Sequence, residues 1–172
     1  MLARWMPDFW FETFDKVTPS FLSEQGIRFL LADIDNTLAP YEEAVPNERV
    51  KAWVLEMRAC GVTVVLVSNN NKERVERFNS ELGLLAFYDC HKPSKKRLLQ
   101  YANKAGAVLA ETATLGDQIF TDVWGARMVG IRAILVPPIR DKKTLFFRFK
   151  RALERPILKK FHKQNKKMEN KQ

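Results

Sequence analysis

Short apolar runs along this chain end abruptly in polar clusters. The runs at 27–32, 62–67, 84–88, 113–116 and 132–136 read as strands, and 47–60, 72–82, 94–106 and 121–129 as helices. Asn47 or Pro46 marks the first helix start, Gly61 its stop, and Gly83 and Gly106 end the next two. Such alternation predicts an α/β domain with a parallel sheet and helices on both faces. Right-handed crossovers bring the strand ends to one edge.

Two flanks depart from this rhythm. In residues 1–26, Leu2, Trp5, Met6, Phe9, Trp10 and Phe14 fall at spacings compatible with one helical face. Pro7 suits a helix start, and Thr18-Pro19-Ser20 reads as a break and a new cap. This segment is either a helix packed on the domain or an interfacial anchor. At 140–172, Leu145, Phe146, Phe149, Leu153, Ile157 and Phe161 recur at three- and four-residue steps. Arg148, Arg151, Arg155, Lys159 and Lys163 lie on the other side, and Pro156 kinks the pattern or starts a second helix. Three readings of this tail stand: a helix packed on the core, a membrane-surface contact, or an RNA contact.

Charge sharpens the division. Residues 140–172 hold 13 Lys or Arg and 3 Asp or Glu, a net of +10; the whole chain carries +9, so residues 1–139 sum to −1. The basicity belongs to the tail and points to an anionic partner there. Cys60 and Cys90 show no metal-like spacing and read as thiols in a reducing compartment. The start is no secretory signal, and no stretch reaches the ~18 uncharged apolar residues of a membrane span. The expected location is the cytoplasm, with peripheral contact on the inner face of the membrane.

Chemistry gathers where the strand candidates end. Asp33-Ile34-Asp35-Asn36-Thr37 follows the first run. Two carboxylates two residues apart repel unless a cation shares them. Ser68-Asn69-Asn70 follows the second run, Lys92-Pro93 the third, and Gly116-Asp117-Gln118 the fourth, with Thr121-Asp122 close behind. Singly, these are a turn, an N-cap, a solvated lysine and another turn. Together they line one edge of a parallel sheet, where such sheets place ligands.

The ordered set D-x-D-x-T, S-N, K-P and G-D-Q-x-x-T-D resembles the haloacid dehalogenase-like (HAD) phosphohydrolase superfamily. Within it the chain is most similar to the class IIIA phosphatases related to phosphatidylglycerophosphate phosphatases. The residue pattern divides the chain into an aromatic segment (1–26), a core that would be the HAD domain (27–139) and a basic tail (140–172). The resemblance covers roughly residues 1–155 and implies a Rossmann-like strand order. It also implies Mg²⁺, held by Asp33, Asp117 and the backbone carbonyl of Asp35, with Asp122 on a metal water or on Lys92. Asp33 would be the nucleophile and Asp35 the general acid and base. Ser68 would bind the phosphoryl group, Asn69 would help through its amide, Lys92 would offset charge, and Thr37 would hydrogen-bond within the loop. The family's fourth motif often carries adjacent acids; here Gln118 follows Asp117, so Asp122 must supply the second.

Interval lengths add a clue to substrate. Only 34 residues separate Asp33 from Ser68, and 23 separate Ser68 from Lys92. Neither interval holds a cap domain, so the expected site is open. An open site favours a phosphate on a large or surface-bound substrate: a phospholipid headgroup, with a soluble or macromolecular phosphate as the alternative.

Overall fold

The structure is a computed structural model that describes residues 3–140 and 145–169. Six parallel strands form one sheet: β1 (Phe9–Trp10), β2 (Phe29–Ala32), β3 (Thr63–Val67), β4 (Leu85–Phe87), β5 (Thr112–Gly116) and β6 (Arg132–Leu135). Their spatial order is β1-β6-β5-β2-β3-β4. The helices are α1 (Pro19–Glu24), α2 (Glu48–Ala59), α3 (Lys72–Asn79), α4 (Lys95–Lys104), α5 (Trp124–Val129) and α6 (Leu145–Glu169). A single π turn, Ile119–Val123, leads into α5.

Alternation along each strand sorts the core into two layers. Leu30, Ala32, Val64 and Leu66 face one layer with Leu22 of α1, Val50 and Trp53 of α2, and Val75 and Phe78 of α3. Leu31, Val65 and Val67 face the other, with Leu98 and Tyr101 of α4, Ala126 of α5 and Ile157 of α6. This is the three-layer α/β/α arrangement with a parallel sheet that the sequence predicted. No further helix or strand separates β2 from α2 among the described residues, so no cap covers the strand ends there.

Side-chain caps set where the helices begin. Asn47 accepts from the Val50 amide at 3.1 Å, Asn71 from the Arg74 amide at 3.0 Å, and Thr18 from the Phe21 amide at 3.2 Å with Pro19 next in line. Each satisfies an N–H that the helix itself cannot.

The N-terminal segment is not the helix its spacing predicted. A 3-10 turn at Ala3–Trp5 gives way to β1, which pairs Phe9 with Ile134 and Trp10 with Leu135. The edge of β6 offers unpaired backbone groups, and a helix this short is marginal alone. Asp8 strengthens the pairing: its carboxylate accepts from the Ala133 amide at 2.8 Å and pairs with Arg127 at 2.9 Å. The aromatic side chains are spent inside the fold. Trp5 meets Phe120 and Trp124 with centroids 5.2 and 4.7 Å away; Phe9 meets Phe21 at 5.0 Å. Leu2 lies outside the described residues, as do the side chains of Leu145, Phe146, Arg148, Phe149 and Arg151.

The described part of α6 packs on the core. Ile157 and Phe161 are buried, and Trp10 lies edge-on to His162 at 5.1 Å. Pro156 sits inside α6 rather than starting a second helix. Each buried apolar side chain contributes roughly 1.5–3 kcal/mol. Arg155, Lys159, Lys160 and Lys163 stay exposed. No helix among the described residues is long and apolar enough to cross a membrane.

Candidate active site

The register of the sheet builds the site. Ala32 pairs with Leu66 on one side and Leu115 on the other. The residues just beyond β2, β3 and β5 therefore emerge together. Asp33 follows β2, Ser68 follows β3 and Asp117 follows β5, and all three are buried. Lys92 arrives from the loop after β4. Its ammonium lies 2.6 Å from Asp33 Oδ1 and 2.6 Å from Asp122 Oδ1.

Local backbone choices make these approaches possible. Asn36 takes a left-handed φ of 66°, which Asn tolerates better than most residues. The chain doubles back there, and Thr37 Oγ1 donates to Asp33 Oδ2 at 3.1 Å. Gly116 lets Asp122 come close: a Cβ at residue 116 would fall 2.2 Å from Asp122 Cγ. Asp122 also accepts from the Gln118 amide at 3.3 Å and from Thr121 Oγ1 at 3.1 Å.

Electrostatics inside the cluster are unbalanced. Burial pushes the Asp33 carboxyl up to about 7; Lys92 opposes this, and Asp122 and Asp117 add to it. Burial works against the Lys92 charge too, but Asp122 and Asp33 outweigh it and raise the lysine above its ordinary value. One ammonium thus faces three carboxylates. Asp33, Asp117 and Asp122 each offer one oxygen, and these three lie within 4.8 Å of one another. Two like charges at that separation repel by about 3 kcal/mol at an effective dielectric of about 20. An all-oxygen set with surplus negative charge fits a hard divalent cation such as Mg²⁺.

This imbalance predicts a pH-dependent cation effect. Because the folded Asp33 pKa stands above its ordinary 3.8, the folded state binds more protons than the unfolded state between about 4 and 7. The contribution of this group to stability is therefore present at low pH and lost as pH rises to about 7. A cation that takes the carboxylates reverses the loss. At a hundredfold excess over Kd, Mg²⁺ should stabilise by about 2.7 kcal/mol at pH 8, or about 5–10 °C in Tm. At pH 5, where protons compete, the shift should be less than half as large. Equal shifts at the two pH values in a thermal melt would count against this site.

The other sequence candidates fall as follows. Asp35 is half-buried at the mouth, where its Oδ2 accepts from Asn70 Nδ2 at 3.2 Å. Ser68 Oγ accepts from the Asn70 amide at 3.0 Å. Asn69 holds Lys92 through its side chain: Oδ1 accepts from the Lys92 amide at 2.6 Å, and Nδ2 donates to the Lys92 carbonyl at 3.2 Å. Of the chain's two histidines, His91 is exposed beside the Asp89 carbonyl and His162 lies on α6 against Trp10. Cys90 is buried with its thiol pushed up to about 11 by burial, which makes it a poor nucleophile.

Two residues escaped the sequence reading. Arg74 of α3 reaches Asp35 Oδ1 through Nε at 3.2 Å and Nη2 at 3.1 Å. Glu154 of α6, buried, accepts from the Ile119 amide at 2.9 Å, two residues beyond Asp117. No sequence signal singles out Arg74, because a basic residue in a first helical turn reads as solvated. Glu154 offered a faint one, as an acid among tail cations on the apolar side of the helix.

The chain is similar to several known proteins. The profile of a family described as mitochondrial PGP phosphatase matches residues 3–140. A Bacillus subtilis protein called probable phosphatase YqeG is 33% identical over 153 residues, 89% of each chain. Among solved structures, an uncharacterized protein from Listeria monocytogenes has a TM-score of 0.55 at 16% identity, covering 69% of this chain and 85% of that one. A hypothetical protein from Xanthomonas campestris has a TM-score of 0.51 at 16% identity, covering 72% of each chain. The two structural likenesses are likenesses of fold.

Proposed function

The chain belongs to the mitochondrial PGP phosphatase family of HAD phosphatases, and from that membership we propose that it removes the terminal phosphate of phosphatidylglycerophosphate with Mg²⁺ as cofactor. The observation that carries the site assignment is the Lys92 ammonium, 2.6 Å from both Asp33 and Asp122. It sits at an uncapped sheet edge in a cluster rich in carboxylates.

The side chains divide the reaction between them. Asp33 attacks phosphorus, the bond to the leaving oxygen breaks, and an aspartyl phosphate forms on Asp33. Asp35, at the mouth, gives its proton to the leaving oxygen. It then takes a proton from the water that cleaves the acyl phosphate, releasing phosphate and restoring Asp33. Acid–base assistance of this kind contributes about 10²–10⁴-fold. Asp33, Asp117 and Asp122, with the backbone carbonyl of Asp35, would hold Mg²⁺ directly or through water. Bound there, Mg²⁺ supplies charge that lets an anionic carboxylate meet an anionic phosphate. Lys92 does part of the same work from the protein side. Ser68 binds the phosphoryl oxygens with help from the Asn69 amide, and Thr37 steadies Asp33.

Two features favour a lipid headgroup over a small metabolite. Among the described residues no cap covers the site, and a groove of about 560 Å³ opens along the β4–α4 connection, outside the carboxylate cluster itself. Lys96, Arg97 and Lys104 border that groove beside Phe87 and Tyr101. The exposed face of α6, with Arg155, Lys159, Lys160 and Lys163, supplies charge for an anionic bilayer on the cytoplasmic side. Each such residue near the surface contributes up to about 1 kcal/mol, screened by salt. Ile157 and Phe161 are turned inward and take no part in this contact. RNA is the alternative partner for the same face.

The test is a substrate panel: phosphatidylglycerophosphate in vesicles, sugar phosphates, nucleotides and an aryl phosphate, each with Mg²⁺ and with EDTA. The expected result is hydrolysis fastest on the lipid and abolished by EDTA. A faster rate on any soluble metabolite would overturn the lipid assignment. Undiminished rates in EDTA would remove the cation from the chemistry.

A further inference from the structure

The site holds cations at two depths. Lys92 lies at the bottom, its side chain 5% exposed, between Asp33 at 9% and Asp122 at 3%. Arg74 and Asp35 lie nearer the mouth, at 12% and 16%. The inner cation is committed to two carboxylates and stands where the transferring phosphate must bind. The outer cation has one carboxylate partner, and that partner is the proposed acid.

Position decides what Arg74 can touch. A general acid must contact the leaving oxygen, so the Asp35 carboxylate marks the leaving-group side of the site. Arg74 directs two nitrogens at Asp35 Oδ1 and a third at the Ala44 carbonyl, 3.3 Å away. Those bonds engage three of the five N–H donors an arginine carries. The guanidinium also lies 5.2 Å from the centroid of the Phe78 ring, and the backbone of Arg74 is fixed by the Asn71 cap. It is a planar donor fork on a braced stem, beside the place where the leaving group extends.

We propose that Arg74 recognises a second anion carried on the leaving group, a phosphodiester a few atoms from the ester being cleaved. The proposal rests on the phosphatase reading above and narrows its substrate class. A phosphodiester offers two oxygens to the fork as a carboxylate does. Exchanging Asp35 for such a group therefore costs Arg74 little. The exchange also releases Asp35 from its double contact, so that its carboxyl can turn to the leaving oxygen. A substrate without the second anion leaves Arg74 on Asp35 and the acid restrained. The inner residues serve every phosphomonoester; the outer pair selects among them.

The experiment compares glycerol 3-phosphate, which has no second anion, with the deacylated headgroup glycerophosphoglycerophosphate, which has one. Wild type, Arg74→Lys and Arg74→Gln are measured with both. The expected result is that the wild-type preference for the headgroup, as a ratio of kcat/KM values, falls at least tenfold in Arg74→Gln and less in Arg74→Lys. A smaller fall in Arg74→Gln, with both substrates losing alike, would overturn the proposal and leave Arg74 as a brace for Asp35. The same ratio is read as binding affinity in Asp33→Asn and in Asp33→Asn with Arg74→Gln, so the answer does not depend on turnover. A vesicle arm with phosphatidylglycerophosphate separates lipid from soluble sources. If wild type ignores the lipid but the headgroup ratio still collapses, the lipid reading fails and the role of Arg74 stands.

Discussion

Asp33→Asn is expected to lower turnover by at least about a thousandfold on every phosphomonoester, with the fold retained. An amide cannot form the acyl phosphate, so the two-step route closes. The fold should survive because Asn keeps the size of Asp and still offers an oxygen to Thr37 Oγ1 or Lys92, which Asp33 now meets at 3.1 and 2.6 Å. The substitution also removes the buried carboxyl whose pKa stands at about 7. The metal-free variant should therefore lose less stability than wild type between pH 4 and pH 7. Activity assays beside thermal melts at pH 5 and pH 8 check both halves. A folded variant with more than about 1% of wild-type rate would end the nucleophile assignment.

Lys92→Met should be the most destabilising single change in the site. It keeps the length of the side chain but leaves Asp33 and Asp122 without the ammonium each meets at 2.6 Å. Breaking a buried pair by removing one partner typically costs 3–5 kcal/mol. For a chain of this size that corresponds to about 6–20 °C in Tm. The sign with pH follows from Asp33: the loss should be largest at pH 8, above its value of about 7, where it is ionised. It should shrink toward pH 5, where Asp33 takes up a proton, and a saturating divalent cation should recover part of it. A metal-free melt within 2 °C of wild type at pH 8 would show that the cluster is neutralised by something other than Lys92.

Much of this architecture could be read from apolar runs and the polar clusters that end them. Runs of four to six residues announced β2, β3, β5 and β6, and their common direction brought Asp33, Ser68 and Asp117 to one edge. What the pattern could not carry is contact across long separations. β1 has two residues, and the spacing of Trp5, Phe9 and Trp10 imitates a helix; only the edge of β6 makes it a strand. Arg74 lies 39 positions from Asp35, so nothing local distinguishes it from a solvated arginine. The tail's three- and four-residue period was legible, but its destination depended on the core layer that Ile157 packs into. Asn69 is proposed to serve substrate through its backbone amide; what the sequence could not show is that its side chain also ties the Ser68 loop to the Lys92 loop.

Glu154 sets an order of events in biosynthesis. Its carboxylate accepts from the Ile119 amide, so the loop bearing Asp117 and Asp122 gains this bond from a residue 35 positions later. Chains emerge from the ribosome at about 5–20 residues per second and fold from the N-terminal end. The sheet can pair while α6 is still being made, but the acidic loop lacks its buried acceptor until that helix docks. A nascent chain stalled before residue 154 would have its nucleophile in place and the loop of its second and third carboxylates unbraced. The bond that braces the acidic loop is therefore made only once the segment carrying Glu154 has been synthesised and α6 has docked.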